Sequence, residues 1–322
     1  MTEEEKSAQR SILIVHGGDF KPPEEVYLDE AATALHAGVR RDFPDHVEAF
    51  GKVGIELAYY GDIGNEYLRS KGRQYDEQLD IGDRRNALES LKKIPPRKRF
   101  GLQQYDKLRG MSAVPEAIAD VASPLFGVLG LTTLLVSLVA KDFALYLSGN
   151  TEFTKQVRER VRSKLMELLR RGDKVMLMSH GTGAAVAYDV LWQLSHGETY
   201  RDEFSASKIE VFVTLGSPIS DDMIRRRLLG ARRRATERFP TNIITWENVS
   251  AEDDYLCHDK TVANDLKAMM REHVISSIND YRVYNHAMRY GKSNPHCSLG
   301  YFIHPRVVKI VVDWIETPDD AL

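Results

Sequence analysis

Cysteine is nearly missing from this chain. Only Cys257 and Cys297 occur among 322 residues, too few for a disulfide framework and in keeping with a reducing compartment. An excess of charge is missing too: 44 Lys and Arg against 47 Asp and Glu leave a net charge of −3. That balance excludes the broad basic field that holds nucleic-acid phosphates, so no nucleic-acid partner is expected. No segment repeats and none is of low complexity. The first residues, MTEEEKSAQR, lack the basic start and apolar core of a secretory signal, and the expected location is cytoplasmic. Long apolar runs are scarce as well. The exception is VASPLFGVLGLTTLLVSLVA, residues 121–140, which carries no charge and is just long enough to cross a bilayer. Pro124, Gly127 and Gly130 interrupt it, so a buried or lid helix is expected first and contact with a membrane surface second.

What is present is an alternation of short apolar runs with helical patterns. SILIV (11–15), VGIELAYYG (53–61), KVMLM (174–178), KIEVFVTLG (208–216), NIITWENV (242–249) and SINDYRVYN (277–285) have strand character. Helices are expected over about 24–40 and 183–194, before Gly172 as a C-terminal cap, and from Pro305 to the end. Strands alternating with helices imply an α/β fold, a mostly parallel sheet with helices on both faces. One domain over 1–322 is expected. Residues 62–150 break the rhythm and fit a helical insertion or cap overhanging the carboxyl ends of the strands, where such sheets bind ligands. The arginine-rich run RRRLLGARRR (225–234) fits a solvated helix face, with anionic headgroups as the alternative partner.

The most informative stretch is KVMLMSHGTGAAVAYDVL (174–191), an apolar run, a cluster of small residues, then an alanine-rich helical pattern. A tight strand-to-helix turn tolerates only small residues two before and two after its apex. Ser179 and Gly183 occupy those places around Gly181. An ordinary glycine turn or a phosphate-cradling loop would also fit, since a lone G-x-G is weak. The stretch SHGTGAAVAYDVL resembles the SHSxGxxxAYDVL nucleophile elbow of bacterial lipase- and esterase-like α/β-hydrolases, with Gly181 where that pattern has serine.

The resemblance implies the rest of a site. An early His-Gly loop, HGGDF, would place Gly17 and Gly18 at the oxyanion hole together with the N–H of Thr182, leaving His16 a structural residue of that loop. The acid follows a later strand in TWENVSAEDDY; Asp254 is favoured by position and Asp253 is the alternative. The base follows the last strand in NPHCSLGYFIHP, with His296 ahead of His304. The family chemistry is hydrolysis of an acyl ester or lipid without cofactor or metal; CHD (257–259) and HC (296–297) have no recognised metal-ligand spacing.

Glycine at the apex leaves three accounts. The chain binds an acyl ligand without turning it over. Or His296, held by Asp254, activates water in place of serine. Or glycine replaces an original serine in an ordinary hydrolase. Ser179 is expected to point into the strand packing, Thr182 belongs to the helix, and Cys297 has only its sequence neighbour to recommend it as a substitute nucleophile.

Overall fold

The computed structural model describes residues 8–95, 141–149, 151–252, 254, 256–257 and 261–318. Its main elements run β1 Arg10–Val15, α1 Glu24–Asp42, β2 Gly54–Ala58, α2 Gly61–Ser70, α3 Glu77–Lys92, α4 Lys141–Leu147 and α5 Glu152–Arg170. There follow β3 Lys174–His180, α6 Gly183–His196, β4 Ile209–Leu215, β5 Ile243–Ala251 and β6 Ser277–Val283. A small hairpin, β7 Met288–Arg289 and β8 Lys292–Ser293, precedes α7 Ser298–Phe302 and α8 Pro305–Glu316. The six long strands pair in parallel throughout, in the order β2-β1-β3-β4-β5-β6. The expected α/β architecture is thus present, with a sheet more uniformly parallel than the sequence required.

Side chains along a strand alternate between faces, and this splits the interior into two cores. Ile12, Ile14, Met176, Met178 and Val213 pack with α1 and α8 on one side. Leu13, Val15, Leu177, Phe212 and Trp246 pack with α5 and α6 on the other. Every residue of β4 is buried, as expected of a strand covered on both faces. Thr151 caps α5 by accepting the Thr154 N–H at 3.1 Å. Gly172, at φ +77°, takes the left-handed position that ends the same helix.

Two sequence expectations need adjustment. The arginine run is not a helix face: only Asp222–Arg225 is helical, and turns follow. Gly230 has φ +79°, and a Cβ there would lie 2.1 Å from Trp192 Nε1, so the chain must turn where a helix would continue. Arg225 pairs with Asp265 at 2.7 Å and Arg226 with Asp222 at 2.6 Å. Strand β2 is shorter than 53–61 because Tyr60 leaves the sheet, giving its N–H to His16 Nε2 at 3.1 Å. The apolar stretch 121–140, with 96–120 before it, lies outside the described residues. Among the described residues no helix is long and apolar enough to cross a membrane.

The chain reverses its direction of sheet growth between β1 and β3, since β2 lies on one side of β1 and β3 to β6 on the other. Loops leaving the carboxyl ends of such a pair diverge and open a crevice. Here they also touch. A Cβ on Gly183 would sit 2.2 Å from the His16 carbonyl oxygen, so only glycine lets the loop after β1 rest on the first turn of α6. Gly183→Ala is expected to destabilise the fold by about 3 kcal/mol, the upper range for forced overpacking. Urea unfolding would show this, and a loss below about 0.5 kcal/mol, the ordinary surface value, would contradict it.

Candidate active site

The loops after β1, β3, β5 and β6 deliver the residues that the sequence singles out. After β3 the backbone turns at Gly181 with φ +54°, and its N–H donates to Leu215 O at 2.8 Å. A Cβ built on this glycine would stand 2.9 Å from His296 Nε2 and 3.1 Å from Cε1. Position 181 therefore directs its side-chain vector straight at the imidazole. Ser179 faces away, its hydroxyl donating to Val213 O at 3.2 Å inside the sheet.

Asp254 follows β5 and meets His296: Nδ1 lies 2.9 Å from Oδ2 and 3.0 Å from Oδ1. The carboxylate also accepts the Leu256 N–H at 3.1 Å and the Tyr301 hydroxyl at 2.8 Å. Tyr301 in turn accepts the Ala251 N–H at 2.9 Å. Burial first, then the Asp254 charge, keeps the Tyr301 phenol well above its usual range, so it stays a donor. Such a carboxylate fixes the imidazole's orientation and leaves Nε2 directed at position 181. Asp253 lies outside the described residues. His304 is remote in role: its Nδ1 accepts the Arg306 N–H at 3.0 Å and caps α8.

The loop carrying His296 is held on both sides by one residue. Asn285 Nδ2 donates to Pro295 O and to Cys297 O, each at 2.9 Å. His180, beside the elbow, donates Nε2–H to the His296 carbonyl at 2.8 Å, since a carbonyl can only accept. Burial, followed by the charges of His296 and Lys21, holds the His180 pKa well below its usual value, so the ring is a neutral strut. Gly216, at φ +59°, closes the floor: a Cβ there would fall 2.8 Å from Asp254 Oδ2 and 3.2 Å from His296 Nδ1. The sequence assigns no role to Tyr301, Asn285, His180 or Gly216, although His180 falls within the elbow pattern. Their roles arise from contacts between distant segments.

The oxyanion loop is more occupied than its glycines imply. Gly18 N–H donates to Thr182 Oγ1 at 2.7 Å, so that donor is engaged in this state. Thr182 N–H opens α6, among the amide groups that a helix start leaves without intrahelical partners. A Cβ on Gly17 would lie 3.1 Å from His180 O, and one on Gly18 2.6 Å from Asp142 Oδ2. Both glycines thus permit close backbone approach. His16 is structural: its Nδ1–H donates to Gly17 O at 2.8 Å while Nε2 accepts from Tyr60.

His16 and His304 each use one ring nitrogen as an acceptor, and burial is the largest cause pulling each down from 6.5 to about 3. Because the folded values lie below the unfolded one, the unfolded chain binds more protons between these limits. Stability is therefore lost as pH falls through that window, at up to about 1.4 kcal/mol per unit for each ring. Thermal melts from neutral pH downward should show the decline. His304→Asn keeps a capping acceptor without a titrating ring and should flatten it; an unchanged slope would exclude His304 as a contributor.

These loops line a cavity of about 320 Å³, at the small end of ligand sites. Its wall includes Gly17, Gly18, Thr182, His180, His296 and Cys297, together with Lys21, Arg73, Arg84 and Arg289. Phe20, Tyr27, Tyr75 and Leu256 also line it, so charged and apolar groups share the wall. Among the described residues no cluster of three or more His, Cys, Asp or Glu side chains is arranged to hold a metal ion; His258 and Asp259 lie outside them. No family model, curated protein or solved structure matches this chain.

Proposed function

We propose that this chain is an α/β-hydrolase-type acyl hydrolase site whose nucleophile position is glycine. Its reaction is slow hydrolysis of a small ester by water under His296. One observation carries the reading: the Cα–Cβ direction of Gly181, held at φ +54°, meets His296 Nε2, while Nδ1 of the same ring is bound to Asp254. A serine at that apex would be the attacking group of a Ser-His-Asp triad. Without it, His296 is the group able to take a proton from water, and Thr182 N–H and the Gly17–Gly18 loop are the donors for the developing oxyanion. An oxyanion hole and binding alone can sustain about 10³–10⁴-fold catalysis over water when a triad member is absent.

A ligand-binding role without turnover is the second reading. It is favoured by the engagement of Gly18 N–H with Thr182 Oγ1 and by the approach of His296 into the space that a side chain at 181 would need. We read residues 62–150 as a cap, supported by the cavity-lining residues Arg73, Tyr75, Asp80 and Arg84 that this segment supplies. Both cysteines are buried, and a cytoplasmic location remains part of this reading. Turnover of p-nitrophenyl acetate by the unsubstituted chain and by Gly181→Ser decides between the readings. Turnover by the unsubstituted chain that rises in the serine variant supports the hydrolase reading; an unsubstituted chain without turnover favours binding, and an inert serine variant leaves only binding.

A further inference from the structure

The cavity beside His296 contains a charged donor that ester chemistry at position 181 does not use. Arg84, on α3, is only 6% exposed. Its Nε donates to Glu30 Oε2 at 2.5 Å, and its guanidinium lies over the Tyr27 ring, 5.0 Å from the centroid. The residue lines the cavity, and its Nη2 is buried with no hydrogen-bond partner among the described residues. A guanidinium cannot shed its proton at any ordinary pH, so a buried donor of this kind is costly to leave without an acceptor.

The surrounding acids do not supply that acceptor. Asp19 pairs with Arg73 at 2.8 Å, and Asp80 and Asp83 both close on Arg289. Asp142 takes the Asp19 N–H at 2.8 Å. The ammonium of Lys21 is turned onto the carbonyls of Gly18, Asp19 and Phe20. Even so, the charges of Lys21 and Arg84 reach both buried histidines of the site, pushing His16 and His180 further toward the neutral form. The thiol of Cys297, next to His296 in the chain, lies within electrostatic range of Arg84 and Arg289. Arginines paired with carboxylates thus adjoin the histidine.

We propose that the ligand of this cavity carries a carboxylate that accepts from Arg84 Nη2 while its ester carbonyl lies at the Thr182 N–H and the Gly17–Gly18 loop, beside His296. A small hemiester of a dicarboxylic acid has that chemistry, and a neutral lipid does not. The ester half rests on the hydrolase reading above; the carboxylate half stands on Arg84 alone. Full-length protein titrated calorimetrically with monomethyl succinate and with methyl butyrate tests it. The hemiester binds about tenfold more tightly or better, the gain expected of one charge-assisted hydrogen bond. Arg84→Gln abolishes the preference for the hemiester over methyl butyrate. Should Glu30 left without its partner prevent folding, the double variant Arg84→Gln/Glu30→Gln removes both charges and must show the same loss. Equal binding of the two esters, a preference that survives removal of Arg84, or no binding of the hemiester overturns the proposal. Gly181→Ser separates the two claims. Turnover without a carboxylate preference rejects this inference and keeps the hydrolase site; an Arg84-dependent preference in an inert serine variant does the reverse.

Discussion

Gly181→Ser is expected to raise hydrolysis of p-nitrophenyl acetate by about 10³-fold or more, a part of the roughly 10⁶ that a triad serine supplies in a fully organised site. The new Cβ would start 2.9 Å from His296 Nε2, closer than carbon tolerates, so the imidazole must retreat by a few tenths of an ångström. It can do so by pivoting about its bond to Asp254, because Nε2 and Cε1 are the far end of the ring. The hydroxyl then lies within hydrogen-bond reach of Nε2, the geometry a general base requires. The backbone at φ +54° is left-handed, and a non-glycine residue there costs about 1–2 kcal/mol. The variant should therefore be more active and less stable together. Steady-state kinetics beside a denaturation curve would check both, and a stable but inert variant would reject the assignment of position 181.

Asp254→Asn in the Gly181→Ser background is expected to remove most of that gain, a fall of about 10³–10⁴-fold in kcat. The physical cause is orientation. Asp254 accepts from His296 Nδ1, Tyr301 and the Leu256 N–H at once. An amide at this place can turn its oxygen to Tyr301 and Leu256, but then it presents an NH₂ to Nδ1. His296 would answer by adopting the other tautomer, with the proton on Nε2 where the base must be empty. Binding of substrate should change little, so the effect falls on kcat and not on KM. An equal loss in KM, or a loss of folding, would mean that Asp254 holds the loop more than the ring.

The fold was legible because parallel strands buried on both faces leave continuous apolar runs: IEVFVTL needs no help from its neighbours to be recognised. Strand ends were less so, since Tyr60 leaves β2 for a hydrogen bond with His16, a partner 44 residues away. At the site, the elbow could be read locally from Ser179, Gly181 and Gly183 because close packing dictates small residues there. The order of Asp254 and His296 followed from the resemblance, and the distance between them from the structure. The charged part of the cavity wall could not be read at all. Arg84 and Arg289 sit in charged surroundings that look solvated in sequence, and it is folding that brings them beside Lys21 and Cys297. The expectation of an acyl or lipid ligand came from the motif alone, and the wall carries both charged and apolar side chains.

The central claim is that position 181 faces a working histidine–aspartate pair. Intact-mass analysis of the Gly181→Ser protein after treatment with an alkyl fluorophosphonate tests it most directly, because that reagent phosphonylates a serine only when a general base activates it. The account predicts one adduct, mapped to position 181 by peptide digestion, absent from the unsubstituted chain and abolished by adding His296→Ala. No adduct in a folded Gly181→Ser protein, or an adduct that persists without His296, would contradict it.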